Sequence, residues 1–331
     1  MGNLHLTMAT TDYDHIRDLA TGAVRPEGID LTCLTLDVEE IFHRFIFGQE
    51  WDVSELSMGM STSRLSYGDA PFVLLPVFPS RVFRLSSIYI LADGPVKRPE
   101  DLKGRRIGVP EWGQTAGIYT RGWLEHQVGV PLKGIQWVQS GINQPGRQEA
   151  AKLDLPEGLH VTPVADRSLT QMLLDGDLEA VFSARPPDEF LKGNPRLVRM
   201  FPDYREAEEA YFRETGIFPI MHHVAIKRAT YEKNPWVAME MFKAFDRAKD
   251  RSVERLRCVT ASQIAVPWGF HNVEQLSKLF YADGDYWPYG IEKNRTTLEA
   301  FLLYCAEQGT MAKHMKPEEI YVEEVQHFFK Y

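Results

Sequence analysis

Among the ten histidines, 37 basic and 46 acidic side chains of this 331-residue chain, a few stand where chemistry is possible. His222 and His223 are neighbours in an apolar run, Phe218 to Ile226, that reads as a strand. Side chains alternate across a strand, so the two imidazoles face opposite ways and at most one serves a given site. Either can move a proton near neutral pH, and either can be a satisfied structural residue instead. His15 and Asp14 sit at the first strand-to-helix turn and offer a second proton-handling pair, and His271 in Pro267-Trp-Gly-Phe-His is a further candidate. Arg81 and Arg84 flank an aromatic between two extended runs, and Arg185 follows the short strand Leu178 to Phe182. A guanidinium is a planar fork that matches a carboxylate, although the same residues can close surface ion pairs. The loop from Glu111 to Ala116 enters a helix with Gln114 and Thr115 near its N-terminus, where free N–H groups suit an anion or simply cap the helix. The chemistry on offer is recognition of an organic anion together with proton transfer.

Other chemistries are excluded or unsupported. No Gly-rich phosphate loop, dinucleotide fingerprint or nucleophile elbow occurs. There is no H-x-x-x-H or H-E-x-x-H spacing, so a metal site would have to be assembled from distant His15, Asp14, His222 and Glu111. Neither a metal nor a cofactor is expected. A net charge of −9 disfavours nucleic acid as a partner. Cys33, Cys258 and Cys305 are scattered without a C-x-x-C, which suits a reducing compartment. No export signal and no run of 18 apolar residues is visible, so a cytoplasmic protein without a membrane partner is expected. A homo-oligomer is compatible with everything read here.

The elements that must hold these residues alternate between strand and helix. Leu4 to Ala9 reads as a strand, Tyr13 to Ala20 as a short helix and Ile29 to Leu36 as a strand. Asp37 opens a helix with Val38, Ile41, Phe42, Phe45 and Ile46 on one face, a core-facing stripe. Trp51 to Leu56, Phe72 to Val77 and Ser86 to Leu91 are extended runs, with a helix beginning at Ser57. After a turn-rich break at 93–102 the rhythm restarts. Strands are expected at Arg105 to Val109, Gly134 to Val138, His160 to Pro163 and Leu178 to Phe182, and a polar surface excursion at 141–158. Pro235 to Arg251 is a strongly amphipathic helix, and the remainder reads as mainly helical. The pattern predicts an α/β protein of two lobes: 1–92 with 216–331, and an inserted 93–215. Each lobe is a mostly parallel sheet flanked by helices, with a ligand cleft between the two.

Two resemblances sharpen this. Arg98-Pro-Glu-Asp-Leu-Lys-Gly-Arg-Arg-Ile-Gly-Val-Pro110, and the return through Ile220 to Arg228 and Tyr231-Glu-Lys-Asn-Pro-Trp236, resemble the type II periplasmic-binding-protein fold. Leu75 to Tyr89, Gly216-Ile-Phe-Pro-Ile-Met-His-His223 and Thr10-Thr-Asp-Tyr-Asp-His15 resemble the 4,5-dihydroxyphthalate decarboxylase family. Its members are cytoplasmic enzymes that remove one carboxylate from a dihydroxylated phthalate to give protocatechuate.

The resemblance implies a small aromatic dicarboxylate substrate. Protonating its ring carbon needs an acid, an acceptor at the phenol and a clamp on the carboxylates. Arg81, Arg84 and Arg185 are then the clamp, His222 or His223 the donor, and His15 or Asp14 the phenol-side group. Glu111, Gln114 and Thr115 line the pocket, with Trp268 or the Asp285–Gly290 segment as its aromatic wall. A solute-binding protein for organic anions, or another enzyme on this scaffold such as a chorismate- or futalosine-processing one, is the alternative.

Overall fold

The computed structural model describes residues 2–280 and 283–327. The first lobe begins with β1 (Leu4–Thr10), α1 (Arg17–Ala20), β2 (Ile29–Thr35), α2 (Val38–Gly48), β3 (Val53–Ser57), α3 (Met58–Tyr67) and β4 (Phe72–Arg81). The chain then crosses to β5 (Ile88–Leu91), β6 (Arg106–Val109), α4 (Thr115–His126), β7 (Gln136–Gln139) and β8 (Val161–Pro163). The second lobe continues with α5 (Leu169–Leu174), β9 (Ala180–Phe182), α6 (Asp188–Leu191), β10 (Leu197–Arg199) and α7 (Tyr204–Thr215). The return is made by β11 (Ile220–Lys227), α8 (Arg228–Lys233), α9 (Val237–Arg257), α10 (Gly269–Leu279), α11 (Arg295–Glu307) and α12 (Pro317–Ile320).

The strands form two sheets, ordered β2-β1-β3-β11-β4 and β10-β5-β9-β6-β7-β8. Each is parallel in direction except for one strand. β11 runs antiparallel to β3 and β4, and β5 antiparallel to β9 and β10. These are the two strands that receive the chain as it crosses between lobes. A crossing strand starts at the edge where the other strands end, so it must run the opposite way. Because Ile88–Leu91 is paired inside the second sheet, the first crossing lies at 82–87, several residues before the expected boundary at 92/93.

Local sequence explains the helices that matter. In α2, Ile41, Phe45 and Ile46 are buried as the stripe requires, while Phe42 is only half-buried. In α9, Val237, Met241, Phe242 and Phe245 are buried, and the helix runs on past the expected Arg251. Ser168 caps α5 by accepting the Gln171 N–H at 3.2 Å. One apolar cluster runs through both lobes, with a smaller one around Leu169, Leu173, Val181 and Leu197 in the second. The C-terminal helix ties the lobes together: Phe301 of α11 lies 4.8 Å from Tyr119 of α4, and Gln308 accepts from Arg121 Nε at 2.8 Å. No helix among the described residues is long and apolar enough to cross a membrane.

Candidate active site

Parallel strands bring their carboxyl ends to one edge of a sheet, and β11, being reversed, brings its beginning there. Glu55 in the middle of the short β3, the Thr11–Tyr13 turn after β1 and His222 near the start of β11 meet at this side of the sheet. His222 pairs in register with Ser57 on one side and Ser80 on the other, with register irregularities on both sides of it. Such bulges re-aim side chains and are frequent beside active sites.

Glu55 is 1% exposed and accepts three hydrogen bonds. His222 Nδ1 and the Tyr13 hydroxyl each donate to Oε1 at 2.6 Å, and the Thr11 N–H donates to Oε2 at 2.9 Å. Burial opposes its ionisation, but these donors, His222 foremost, outweigh it and hold the carboxyl below the usual range. Burial and the adjacent carboxylate push the Tyr13 phenol well up, so it stays a donor. A carboxylate on Nδ1 sets the tautomer of His222 and leaves Nε2 on the side of the ring away from Glu55. None of the described residues hydrogen-bonds that Nε2, and the side chain keeps 18% of its exposure. Phe42 packs edge-on against the ring, centroids 5.0 Å apart.

His15 lies next to this group. Its Nε2 donates to the Pro79 carbonyl at 2.9 Å, and its ring sits between Tyr13 and Trp287. Burial pulls its basicity down to about 4, so it is a neutral imidazole with Nδ1 as acceptor. Trp287, from the Asp285–Gly290 segment, is thus the aromatic wall beside His15. Trp268 is 80% exposed at the start of α10 and touches none of these groups.

The other expected residues are placed differently. His223 faces the opposite side of β11, fully buried, bonded to Ser61 and at 3.3 Å to the Tyr321 hydroxyl. Burial lowers it to about 3. It is a neutral packing residue, and the opposite orientation of the histidine pair is as the strand period demands. Asp14 turns to α9, where it binds Ser252 and meets Arg255 at 3.5 Å, and it also meets Arg17 of α1 at 3.2 Å. Arg81 is 4% exposed, with its fork donating to the carbonyls of Phe218 and Pro288 and to Asn294. That burial makes it a strut between β4 and the 288–294 segment.

Arg84 remains half-buried at the lobe crossing. Its Nε points to Met221 Sδ at 3.1 Å, and among the described residues no carboxylate lies within ion-pair distance. Burial pulls it down to about 10, against the attraction of Glu208.

Facing loops of the second lobe reach this edge. Thr115 Oγ1 accepts the Gly59 N–H at 2.9 Å and bonds Ser57 Oγ at 3.1 Å. A side chain at Gly59 would collide with the Gly113 carbonyl, so glycine is required for that approach. Gln114 is the N-cap of α4 by backbone conformation alone. Two amides of the loop that precedes the helix, those of Trp112 and Gly113, donate to Glu149. Glu111 binds Arg147, and burial raises its carboxyl. Arg185 is exposed and meets Glu39 of α2 at 3.4 Å.

His15, His222, Asp14 and Glu111 do not converge as a metal set. Among the described residues the group that could hold an ion is Glu125, His126 and Glu307, at the far ends of α4 and α11. Surface hollows of about 380–440 Å³ occur on α7, α9 and α10, and none is lined by the residues of this junction.

Sequence reasoning missed Glu55, Tyr13, Phe42 and Arg147. Glu55 had a signal, since a carboxylate inside an apolar strand is almost never buried without partners. Phe42 was hidden in a core stripe, and Arg147 in a segment without period.

No family model matches the chain. It is 34% identical over 322 residues to the 4,5-dihydroxyphthalate decarboxylase of Comamonas testosteroni, covering 97% of each chain. It is 36% identical over 214 residues to the enzyme of that name from Pseudomonas putida, covering 64% of this chain and 83% of that one. In fold it is similar to the periplasmic aliphatic sulphonate binding protein of Escherichia coli, at 10% identity, TM-score 0.53, with 98% and 99% of the chains covered. A sulfonate-binding protein of Methylobacillus flagellatus gives 11% identity and TM-score 0.58, with 98% and 93% covered. These structures share the two-lobed periplasmic-binding-protein fold, and the curated relatives carry the chemistry: the chain belongs to the 4,5-dihydroxyphthalate decarboxylase family of carboxy-lyases.

Proposed function

We propose that this chain converts 4,5-dihydroxyphthalate to protocatechuate and carbon dioxide in a cleft between its two lobes, without a cofactor. The observation that carries the reading is the Glu55–His222 pair, an imidazole held at Nδ1 by a buried carboxylate, with Nε2 not hydrogen-bonded by any described residue. At the lobe crossing the half-buried Arg84 has no carboxylate partner among the described residues.

In this reading Arg84 and Arg185 grip the two carboxylates. His15 Nδ1 takes the hydrogen bond of the phenol para to the departing group. His222, protonated at Nε2 and stabilised by Glu55, gives that proton to the ring carbon as the phenol oxygen pushes electron density into the ring. The bond to the carboxyl carbon then breaks and its electron pair restores the aromatic ring. Carbon dioxide leaves, the phenol keeps its proton, and solvent reprotonates His222. Contacts such as Thr115 to Ser57 bring the lobes together, so substrate entry requires them to part and closure excludes water. The scattered thiols support a cytoplasmic setting.

The test is incubation of the purified chain with 4,5-dihydroxyphthalate and related hydroxylated phthalates, following protocatechuate and carbon dioxide. Release of both from the 4,5-isomer is expected. No turnover of any dihydroxyphthalate would overturn the proposal.

A further inference from the structure

Two carboxylates from opposite lobes converge on one arginine of the 141–158 segment. Arg147 binds Glu111 of its own lobe through Nε and meets Glu39 of α2 through Nη1 at 3.5 Å. Arg185 meets the same Glu39 oxygen at 3.4 Å. The pair is next to the catalytic edge. Glu39 stands three residues before Phe42 on α2, so the two share a helix face with Cβ atoms about 5–6 Å apart, and Phe42 packs on His222.

We infer that Arg147 and Arg185 form a carboxylate-binding pair for the substrate, and that Glu39 occupies it as an internal stand-in which the substrate displaces. The inference rests on the decarboxylase reading, and adds to it a binding residue and a built-in competitor. Three features support displacement. Both contacts of Glu39 are longer than the 2.7–2.9 Å of a well-made charge-assisted bond. Glu39 and Arg185 are more than half exposed, so breaking their contact costs little desolvation. A carboxylate planted on a rigid aromatic ring brings a planar, bidentate partner that a flexible glutamate does not match. Two ortho carboxylates, held a fixed distance apart, can engage Arg84 on one side and this pair on the other. Glu111 stays as the inner partner of Arg147 and keeps its guanidinium aimed at the junction.

The experiment is calorimetric binding of phthalate, which has both carboxylates but no phenol to drive turnover, to the full chain and its variants. Benzoate serves as the single-carboxylate control. Glu39→Gln is expected to tighten phthalate about threefold or more, as loss of two exposed ion pairs releases the arginines. Arg147→Gln is expected to weaken it on the order of tenfold. Arg147→Lys keeps charge and loses the fork, and falls between the two. Benzoate should respond much less.

Unchanged or weaker phthalate binding by Glu39→Gln overturns the stand-in role and makes Glu39 a latch that holds the lobes together. Unchanged binding by both Arg147 variants overturns the arginine site, as does wild-type chain that binds no phthalate. Wild-type chain that fails to turn over 4,5-dihydroxyphthalate, yet shows the expected phthalate shifts, upholds this site while refuting the reaction.

Discussion

Replacing Glu55 by glutamine keeps the side chain's shape and removes its charge, and it tests the centre of the proposed mechanism. All three partners of Glu55 are donors: His222 Nδ1–H and Tyr13 O–H on Oε1, Thr11 N–H on Oε2. An amide has one acceptor oxygen. If it stays toward His222 and Tyr13, its NH₂ meets the Thr11 N–H, donor against donor. If it flips, His222 loses its acceptor. In the wild-type chain the carboxylate strengthens exactly when His222 carries a second proton, because the bond then joins two opposite charges. A hydrogen bond to a charged group contributes about 1.5–3 kcal/mol. Losing that increment makes the protonated imidazole less stable relative to the neutral one, and so lowers kcat by up to about 10- to 150-fold, at 1.36 kcal/mol per factor of ten. The unpaired Thr11 amide costs stability by about 1–3 kcal/mol. Initial rates of protocatechuate formation over a range of substrate concentrations give kcat and KM separately, and urea unfolding gives the stability term. KM should change little, since Glu55 is buried behind His222. A kcat within about twofold of wild type, in a variant that folds, would refute the assignment of Glu55 as the residue that positions His222.

The remaining predictions use the same assays. His222→Gln should lower kcat by about 10²- to 10⁴-fold, as expected for loss of a general acid, whereas His223→Gln should lower stability more than kcat. Acid sensitivity follows from the two neutral histidines. His15 and His223 are held down to about 4 and about 3 from an ordinary 6.5, so below pH 6.5 the unfolded chain binds protons that the folded one refuses. Stability should therefore fall as pH drops from about 6.5 toward 4, by up to about 1.4 kcal/mol per pH unit for each histidine. Urea unfolding at pH 7, 6 and 5 checks this, and a flat profile would contradict it. Arg81→Met takes the arginine donor from the Asn294 Oδ1 and the Phe218 carbonyl, while the Pro288 carbonyl keeps its bond from Asn294 Nδ2, and should cost about 2 kcal/mol of stability. Arg84→Met should leave the melting temperature nearly unchanged and raise KM.

The strands and helices were largely legible because burial imposes a period on the sequence. The stripe of α2, the alternation of β1 and the apolar face of α9 all stood out for that reason. The first crossing was placed late because Ile88–Leu91 is a fully buried strand whose apolar run does not say which sheet will pair with it. β10 and α7 escaped notice: a three-residue strand is too short to show a period, and α7 is mostly polar. Among the candidate residues, local period says which face a side chain takes but not what it meets there. Arginine, histidine and an aromatic wall are present, but Arg81, His223 and Asp14 are packed into structure, and Trp287 stands where Trp268 was considered.

The sequence alone determined the α/β class, the discontinuous first lobe, the family and the rule that His222 and His223 face opposite ways. These depend on local period and on contiguous motifs, which a linear string carries in full. Only the tertiary structure decided which histidine meets a carboxylate, which arginines are already bonded to protein, and that Glu39, Arg147 and Arg185 meet across the lobes. Those outcomes depend on contacts between residues separated by 100 or more positions, as with Glu55 and His222 at 167. They are set by sheet order and lobe packing, which no local spacing encodes.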